Sequence, residues 1–204
     1  MNRELYCLLV REGTSDDGLV SPLTALLIDL GYNPNSQILP QANGGSKRTV
    51  DVLRRICDEG QTPDIVFVHR DADNDGHELR ETEISDAYAE VAPTFAVVPV
   101  VPVKMTEAWV LHALHNKEYR RKIDFKGPLD KLPKQDNIPG VAAKDRLHEI
   151  HAALSEGRRR RKRSSPDRFT TDRSRWVEQI TDVSFLEGCT SFERVRQAIR
   201  DLHL

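Results

Sequence analysis

The stretch that decides the fold is Ile65-Val66-Phe67-Val68-His69-Arg70-Asp71-Ala72-Asp73-Asn74-Asp75-Gly76. Its first part is a short β-branched and aromatic run, as expected of a strand buried on both faces. Its second part sets three carboxylates on alternate residues and closes on a glycine. Successive side chains on a strand alternate faces, so Asp71, Asp73 and Asp75 are expected to leave the sheet end on one side. Carboxylates crowded in this way raise one another's proton affinity and are costly unless a cation neutralises them. The stretch reads as a buried strand delivering a divalent-metal site.

Upstream, Leu5-Tyr6-Cys7-Leu8-Leu9-Val10 is a second continuous apolar run, ended by Arg11-Glu12-Gly13. A polar turn then gives way to Leu19, Val20, Leu23, Leu26, Leu27 and Leu30 at helical spacing, stopped by Gly31. Ser15 or Asp16 can cap that helix, and its dipole favours Asp16 and Asp17 near its start. The pattern repeats with a short strand near residues 37–39, a Gly44-Gly45-Ser46 turn, and a helix over 47–59 with Val50, Leu53 and Ile56 inward. After the acidic cluster come a helix over 78–91, a strand over 95–101 and helical periodicity over 105–115. Strands alternating with helices predict an α/β fold: a parallel β-sheet flanked by helices, of Rossmannoid type.

Past Asn116 the strand signal stops, and Lys, Arg, Pro and Gly become frequent. The division expected is an α/β domain over 1–115 and a helical C-terminal appendage over 116–204. Within the appendage we expect a helix over 142–155, a basic loop over 157–175, and two short helices, 176–180 and 192–202, docked on the sheet layer. A chain of 204 residues is large enough for one principal core.

The formal net charge is −2 and the pI about 6.4, so the chain is not globally basic. The charge is uneven, however, because Arg158 to Arg163 is an unbroken cationic run, extended by Arg168, Arg173 and Arg175. Such a run fits a polyanion partner, and equally a solvated loop. The three cysteines are widely separated without metal-type pairing and read as reduced, mostly buried thiols. Residues 5–10 are too few for a signal segment, and Pro99 and Pro102 break the other long apolar run. The expectation is a soluble, cytoplasmic protein with no membrane partner.

In open α/β sheets, sites form outside the carboxyl ends of the strands. Glu12 and Asp16 follow the first strand, Asp71, Asp73 and Asp75 the third, and Lys104 and Glu107 the fourth. In a parallel sheet these ends share one edge. Mg2+, with Mn2+ able to substitute, takes hard oxygen ligands of this kind, and a pair of ions can stabilise both oxygens of a phosphoryl transfer. Glu12 can instead act as general acid or base, its pKa raised by the neighbouring carboxylates.

The plainer readings are an acidic turn or structural cation for the aspartates, helix-terminus electrostatics for Glu12 and Asp16, and a solvated helix start for Lys104 and Glu107. A calcium loop of EF-hand type needs a glutamate where Thr82 stands. Trp109 reads as core, and His69 as a strand-end histidine satisfied by local hydrogen bonds. The pair His148 and His151 lacks the companions of a di-iron site. Lys47 and Arg48, beside the glycine turn, are candidate nucleic-acid contacts, and Arg158, Arg159, Arg160 and Arg161 are better ones, because clustered arginines displace counterions. The glycine turn lacks the phosphate-loop order, so no intrinsic ATPase is expected.

Glu12-Gly13-Thr14-Ser15-Asp16 after a strand resembles the first motif of the Toprim domain, and Asp71-Ala72-Asp73-Asn74-Asp75-Gly76 resembles its second, close to the form in type II topoisomerases. The resemblance covers about the first 115 residues. It implies Glu12 as catalytic acid or base, with Asp16 beside it, and Asp71 and Asp73 as Mg2+ ligands with Asp75 as an additional one. The small size is similar to that of stand-alone Toprim proteins and the overcoming-lysogenization-defect nuclease branch. There a Glu-x-Trp-hydrophobic motif resembles Glu107-Ala108-Trp109-Val110-Leu111, which implies Glu107 as a further metal ligand and Lys104 as a phosphate contact.

The expectation from residues and resemblance together is a Mg2+-dependent nuclease acting on DNA or RNA, with phage defence as the biological setting. A separate ATPase subunit and a homo-oligomer are compatible with it. Two alternatives stand beside it: a non-catalytic Toprim-like effector that binds nucleic acid or a partner ATPase, and a small-substrate phosphohydrolase. Haloacid-dehalogenase-like enzymes, an instance of the latter, carry threonine or valine where Asp75 stands.

Overall fold

A computed structural model describes residues 4–41, 46–72, 76–102, 106–140, 142–156 and 167–202. Asp73, Asp75, Lys104, Arg158, Arg159, Arg160 and Arg161 lie outside the described residues. Four strands, β1 (Glu4–Val10), β2 (Asn33–Ile38), β3 (Ile65–His69) and β4 (Ala96–Val100), form one sheet in the order β2-β1-β3-β4. All neighbours are parallel, with Val10 opposite Val68 and His69 opposite Val100. The fold is α/β, as the strand and helix alternation predicts.

Alternation along the buried strands divides the core in two. Leu5, Cys7, Leu9, Ile65 and Phe67 face α1 (Val20–Asp29) and the later helices, whereas Leu8, Val10, Val66 and Val68 face α2 (Thr49–Asp58) and α3 (His77–Val91). Val50, Leu53 and Ile56 of α2 point inward as their spacing requires. The later helices are α4 (Glu107–Ala113), α5 (Lys117–Lys122), α6 (Ala143–Glu156), α7 (Asp167–Glu178) and α8 (Thr190–Arg200).

Several expectations are corrected. Strand β2 starts at Asn33, four residues before the expected segment, because pairing with β1 overrides the turn-forming character of Asn33-Pro34-Asn35-Ser36 at a sheet edge, where proline is tolerated. Residues 167–175 are helix, not loop: Phe169, Arg173, Trp176 and Ile180 recur at helical spacing, and the packing of Trp176 and Ile180 in the core outweighs the surrounding charge. Cys7 and Cys189 are buried free thiols, but Cys57 faces solvent on α2. No described helix is long and apolar enough to cross a membrane.

The helical region after Asn116 shares the larger core with the sheet. Tyr119, Leu147, Ile150, Val177, Phe192 and Ile199 pack in the same cluster as Leu9 and Phe67. Trp109 is fully buried, its Nε1 donating to Ser191 Oγ at 2.9 Å and its ring meeting Phe192 edge-on at 5.3 Å. Helix α7 crosses the 3-10 turn Thr14–Leu19 at Gly18, where a Cβ would lie 2.5 Å from the Ser174 carbonyl oxygen and 2.9 Å from the Glu178 amide. Both clashing atoms are backbone, so the contact cannot relax by a rotamer change. Gly18→Ala is expected to destabilise the protein by about 1–3 kcal/mol, the usual cost of overpacking. Urea unfolding measures this, and wild-type stability in the variant would refute the close contact.

Candidate active site

The strand order puts a switch point between β1 and β3: the chain leaves β1 toward β2 and leaves β3 toward β4 on the other side. Connections that diverge in this way open a crevice at the carboxyl ends of the two strands. Glu12 follows β1 by two residues and Asp71 follows β3 by two, so both carboxylates stand at that crevice.

His69, the last residue of β3, is fully buried between two carboxylates. Its Nε2 lies 3.5 Å from Asp71 Oδ1 and its Nδ1 lies 3.9 Å from Asp16 Oδ2. Neither ring nitrogen completes a hydrogen bond, nor does Asp71 Oδ1. His69 is thus not the locally satisfied residue its position suggests. Asp16, 5 % exposed, also accepts the Gly13 amide at 3.3 Å.

The group that joins these elements comes from α7. Arg173, 7 % exposed, donates from Nη1 to Glu107 Oε1 at 2.9 Å and from Nη2 to Asp16 Oδ1 at 3.2 Å and the Ser15 carbonyl at 3.3 Å. Glu107 is fully buried at the start of α4, and its second oxygen, Oε2, has no partner. In the sequence Arg173 looks like an outlying member of the cationic run. Its place in the Phe169, Trp176, Ile180 stripe was the available signal: an arginine on a helix's apolar face must meet a buried acid.

On the far side of β3, Arg70 donates to the Lys47 carbonyl at 2.8 Å and the His69 carbonyl at 3.0 Å, bracing the loop before α2 against the crevice. The side chains of Lys47 and Arg48 are exposed. Lys144, in the first turn of α6, is exposed and adds positive charge near Asp71; nothing in its sequence context marks it.

The two crevice carboxylates have opposite proton affinities. Burial pushes Glu12 above its ordinary value and the charge of Asp71 adds to that, with Arg70, His69 and the Asp71 amide opposing. Burial would also raise Asp71, but the interaction with His69, followed by the charges of Arg173 and Lys144, leaves it below its ordinary value. Carboxyls driven apart in this way divide the roles of proton carrier and fixed anion.

Among the described residues no group of three or more His, Cys, Asp or Glu is arranged to hold a metal ion. The donor chemistry nonetheless fits a hard cation: Mg2+ is commonly held by one or two carboxylates and water, and Glu12 and Asp71, with Asp71 Oδ1 unpartnered, supply such oxygens. Glu107 and Asp16 are instead ion-paired with Arg173, which shares its single charge between them.

No family model matches the chain, and neither does any curated protein or solved structure. The Toprim resemblance therefore stands on the motifs alone.

Arg173→Met removes the only side-chain cation bonded to Glu107 and Asp16 among the described residues, leaving two buried acids uncompensated, and is expected to cost about 3–5 kcal/mol in urea unfolding; near-wild-type stability would show that the triad is not structural. A second expectation concerns pH. Glu12 binds its proton more tightly in the folded protein, so its ionisation costs stability; the cost is absent below the ordinary value of 4.5 and grows as pH rises through the folded value. Asp71 has the opposite sign: its stabilising contribution is present above the ordinary 3.8 and is lost as pH falls through its depressed value. Glu12→Gln is accordingly expected to be more stable than wild type at neutral pH, with the difference closing in acid. A pH-independent difference would contradict the raised affinity.

Proposed function

We propose that this chain is a Mg2+-dependent nuclease that hydrolyses phosphodiester bonds of DNA or RNA in the crevice between the ends of β1 and β3. The observation that carries this reading is the pairing of Glu12 and Asp71 there with proton affinities displaced in opposite directions. A phosphodiester hydrolysis needs a group that accepts a proton from water or gives one to the leaving oxygen, and Glu12, with its raised affinity, suits that role. Asp71 stays ionised and is the fixed oxygen ligand.

Asp71, joined by Asp73 and Asp75 from the motif, would hold the ion, and Mg2+ when bound supplies neutralisation of the phosphate charge and polarisation of its oxygens. Lys144, close enough to act on Asp71, offers a phosphate contact, as does Lys104 by its motif. In this reading Asp16 and Glu107 are positioning residues: they act through Arg173, which fixes α7 and α4 against the crevice. Lys47, Arg48 and the run from Arg158 through Arg161 would follow the nucleic-acid backbone. A cytoplasmic setting, a separate ATPase that triggers activity, self-association and a role in phage defence complete the proposal.

The engagement of Asp16 and Glu107 by Arg173 leaves fewer unpaired acids than the motifs imply, and it favours the non-catalytic effector as the second reading.

The deciding experiment incubates purified protein with Mg2+ or Mn2+ on supercoiled plasmid, linear duplex, single-stranded DNA and RNA. Metal-dependent cleavage is expected, with Glu12→Gln and Asp71→Asn each slowing it by about a hundredfold or more. Cleavage that ignores the metal or both substitutions sinks the nuclease reading, and nucleic-acid retention without cleavage supports the effector.

A further inference from the structure

Helix α7 has a second working face. Ser174 and Val177, with Arg173, turn toward Gly18 and the acidic crevice, whereas Arg168, Asp172, Arg175 and Gln179 recur at the i, i+4, i+7, i+11 spacing of another stripe, and the largely buried Trp176 lies between the two and borders the cavity. That stripe, with the end of α5 and the last turns of α6, lines a cavity of about 320 Å³. The volume is at the small end of the range for ligand sites, about 300–1,000 Å³.

The lining is cationic and aromatic together. Lys122, Arg168 and Arg175 face Asp124 and Asp172 across it, but both acids are already engaged. Asp172 Oδ2 meets His151 Nε2 at 2.9 Å and Arg168 Nε at 3.7 Å, and Asp124 pairs with Lys126 at 3.1 Å. Among the described residues Arg175 forms no ion pair, and Lys122 donates to the Thr181 hydroxyl and to no carboxylate. Among those residues both positive charges at the mouth therefore lack a carboxylate partner. Behind them Phe125, Leu154 and Trp176 form an apolar wall, with the Trp176 ring held by His151 at 5.7 Å and Phe125 at 6.3 Å.

From this we propose that the cavity between α5, α6 and α7 binds a nucleoside monophosphate, with the base against Phe125 and Trp176 and the phosphate on Lys122 and Arg175. Charge-assisted bonds to phosphate give the site its anion preference, and base burial against aromatic rings adds affinity that is tolerant of base identity. A free anion would not use the apolar wall, and an uncharged nucleoside would leave both cations unpaired. The site is separate from the Glu12 and Asp71 crevice and does not depend on chemistry there, although one helix serves both.

Isothermal titration of the full chain with adenosine and uridine 5′-monophosphates tests this. Both nucleotides are expected to bind, and adenosine alone and inorganic phosphate alone to bind at least about tenfold more weakly, a difference of about 1.4 kcal/mol. Arg175→Ala and Lys122→Ala, both at exposed positions, are each expected to weaken nucleotide binding about tenfold with an unchanged circular dichroism spectrum, and Arg175→Glu to weaken it further. Glu12→Gln is expected to bind as wild type does, so failure of the nuclease reading and failure of this one are distinguishable. No heat with either nucleotide at millimolar concentration would overturn the proposal. So would equal affinity for phosphate or for a short acidic peptide, or wild-type affinity in the Arg175 and Lys122 variants.

Discussion

The acidic end of this sheet depends on one buried guanidinium. Arg173 reaches from α7 to Asp16, beside the first strand, and to Glu107, at the start of α4, and its charge helps hold Asp71 ionised after the third strand. Without it, segments far apart in the chain would bring the buried Asp16 and Glu107 together with no arginine to offset their desolvation. An arginine suits this place better than a lysine, because its planar fork serves two carboxylates and a carbonyl at once.

That charge is in place only because the backbones come close. Gly18 lets α7 press against the turn after β1, and the apolar residues of α7 continue the core that begins on the sheet. Packing and electrostatics reinforce each other here: Val177 and Trp176 hold the helix by burial, and Arg173 sets its register against the acids. The helical region beyond Asn116 is in this sense part of the site's architecture. It also gives α7 two chemically different faces, one ion-paired with acids and the other carrying surplus positive charge along a cavity.

Within the crevice, similar carboxyls differ by surroundings alone. Burial and the charge of Asp71 raise the proton affinity of Glu12 against the opposing pull of Arg70 and His69, whereas Asp71, beside His69 and within reach of Arg173 and Lys144, binds its proton less tightly than an ordinary carboxyl. The switch point supplies the opening, and the differing neighbours supply the asymmetry. The arrangement is suited to handling a proton next to a fixed negative charge, which is the basis of the proposed hydrolysis.

Much of this was legible in the sequence. Leu5 to Val10 and Ile65 to Val68 announce buried parallel strands, since uninterrupted apolar runs of that length suit strands covered on both faces, and the helical spacing between them requires crossovers. Glu12 and Asp71 could be placed at a common edge for the same reason. Strand β2 was only partly legible, because an edge strand takes its conformation from its neighbour. Arg173 is legible only through the apolar stripe it interrupts, Lys144 not at all because an exposed lysine reads alike wherever it lies, and the unpaired ring nitrogens of His69 depend on neighbours that other elements bring in. The sequence by itself determined the layered α/β architecture and that Glu12 and Asp71 follow neighbouring parallel strands, through short-range periodicity. Which acids near that edge are ion-paired, and by what, was decided only by the tertiary structure, because that depends on contacts between residues 66 and 157 positions apart.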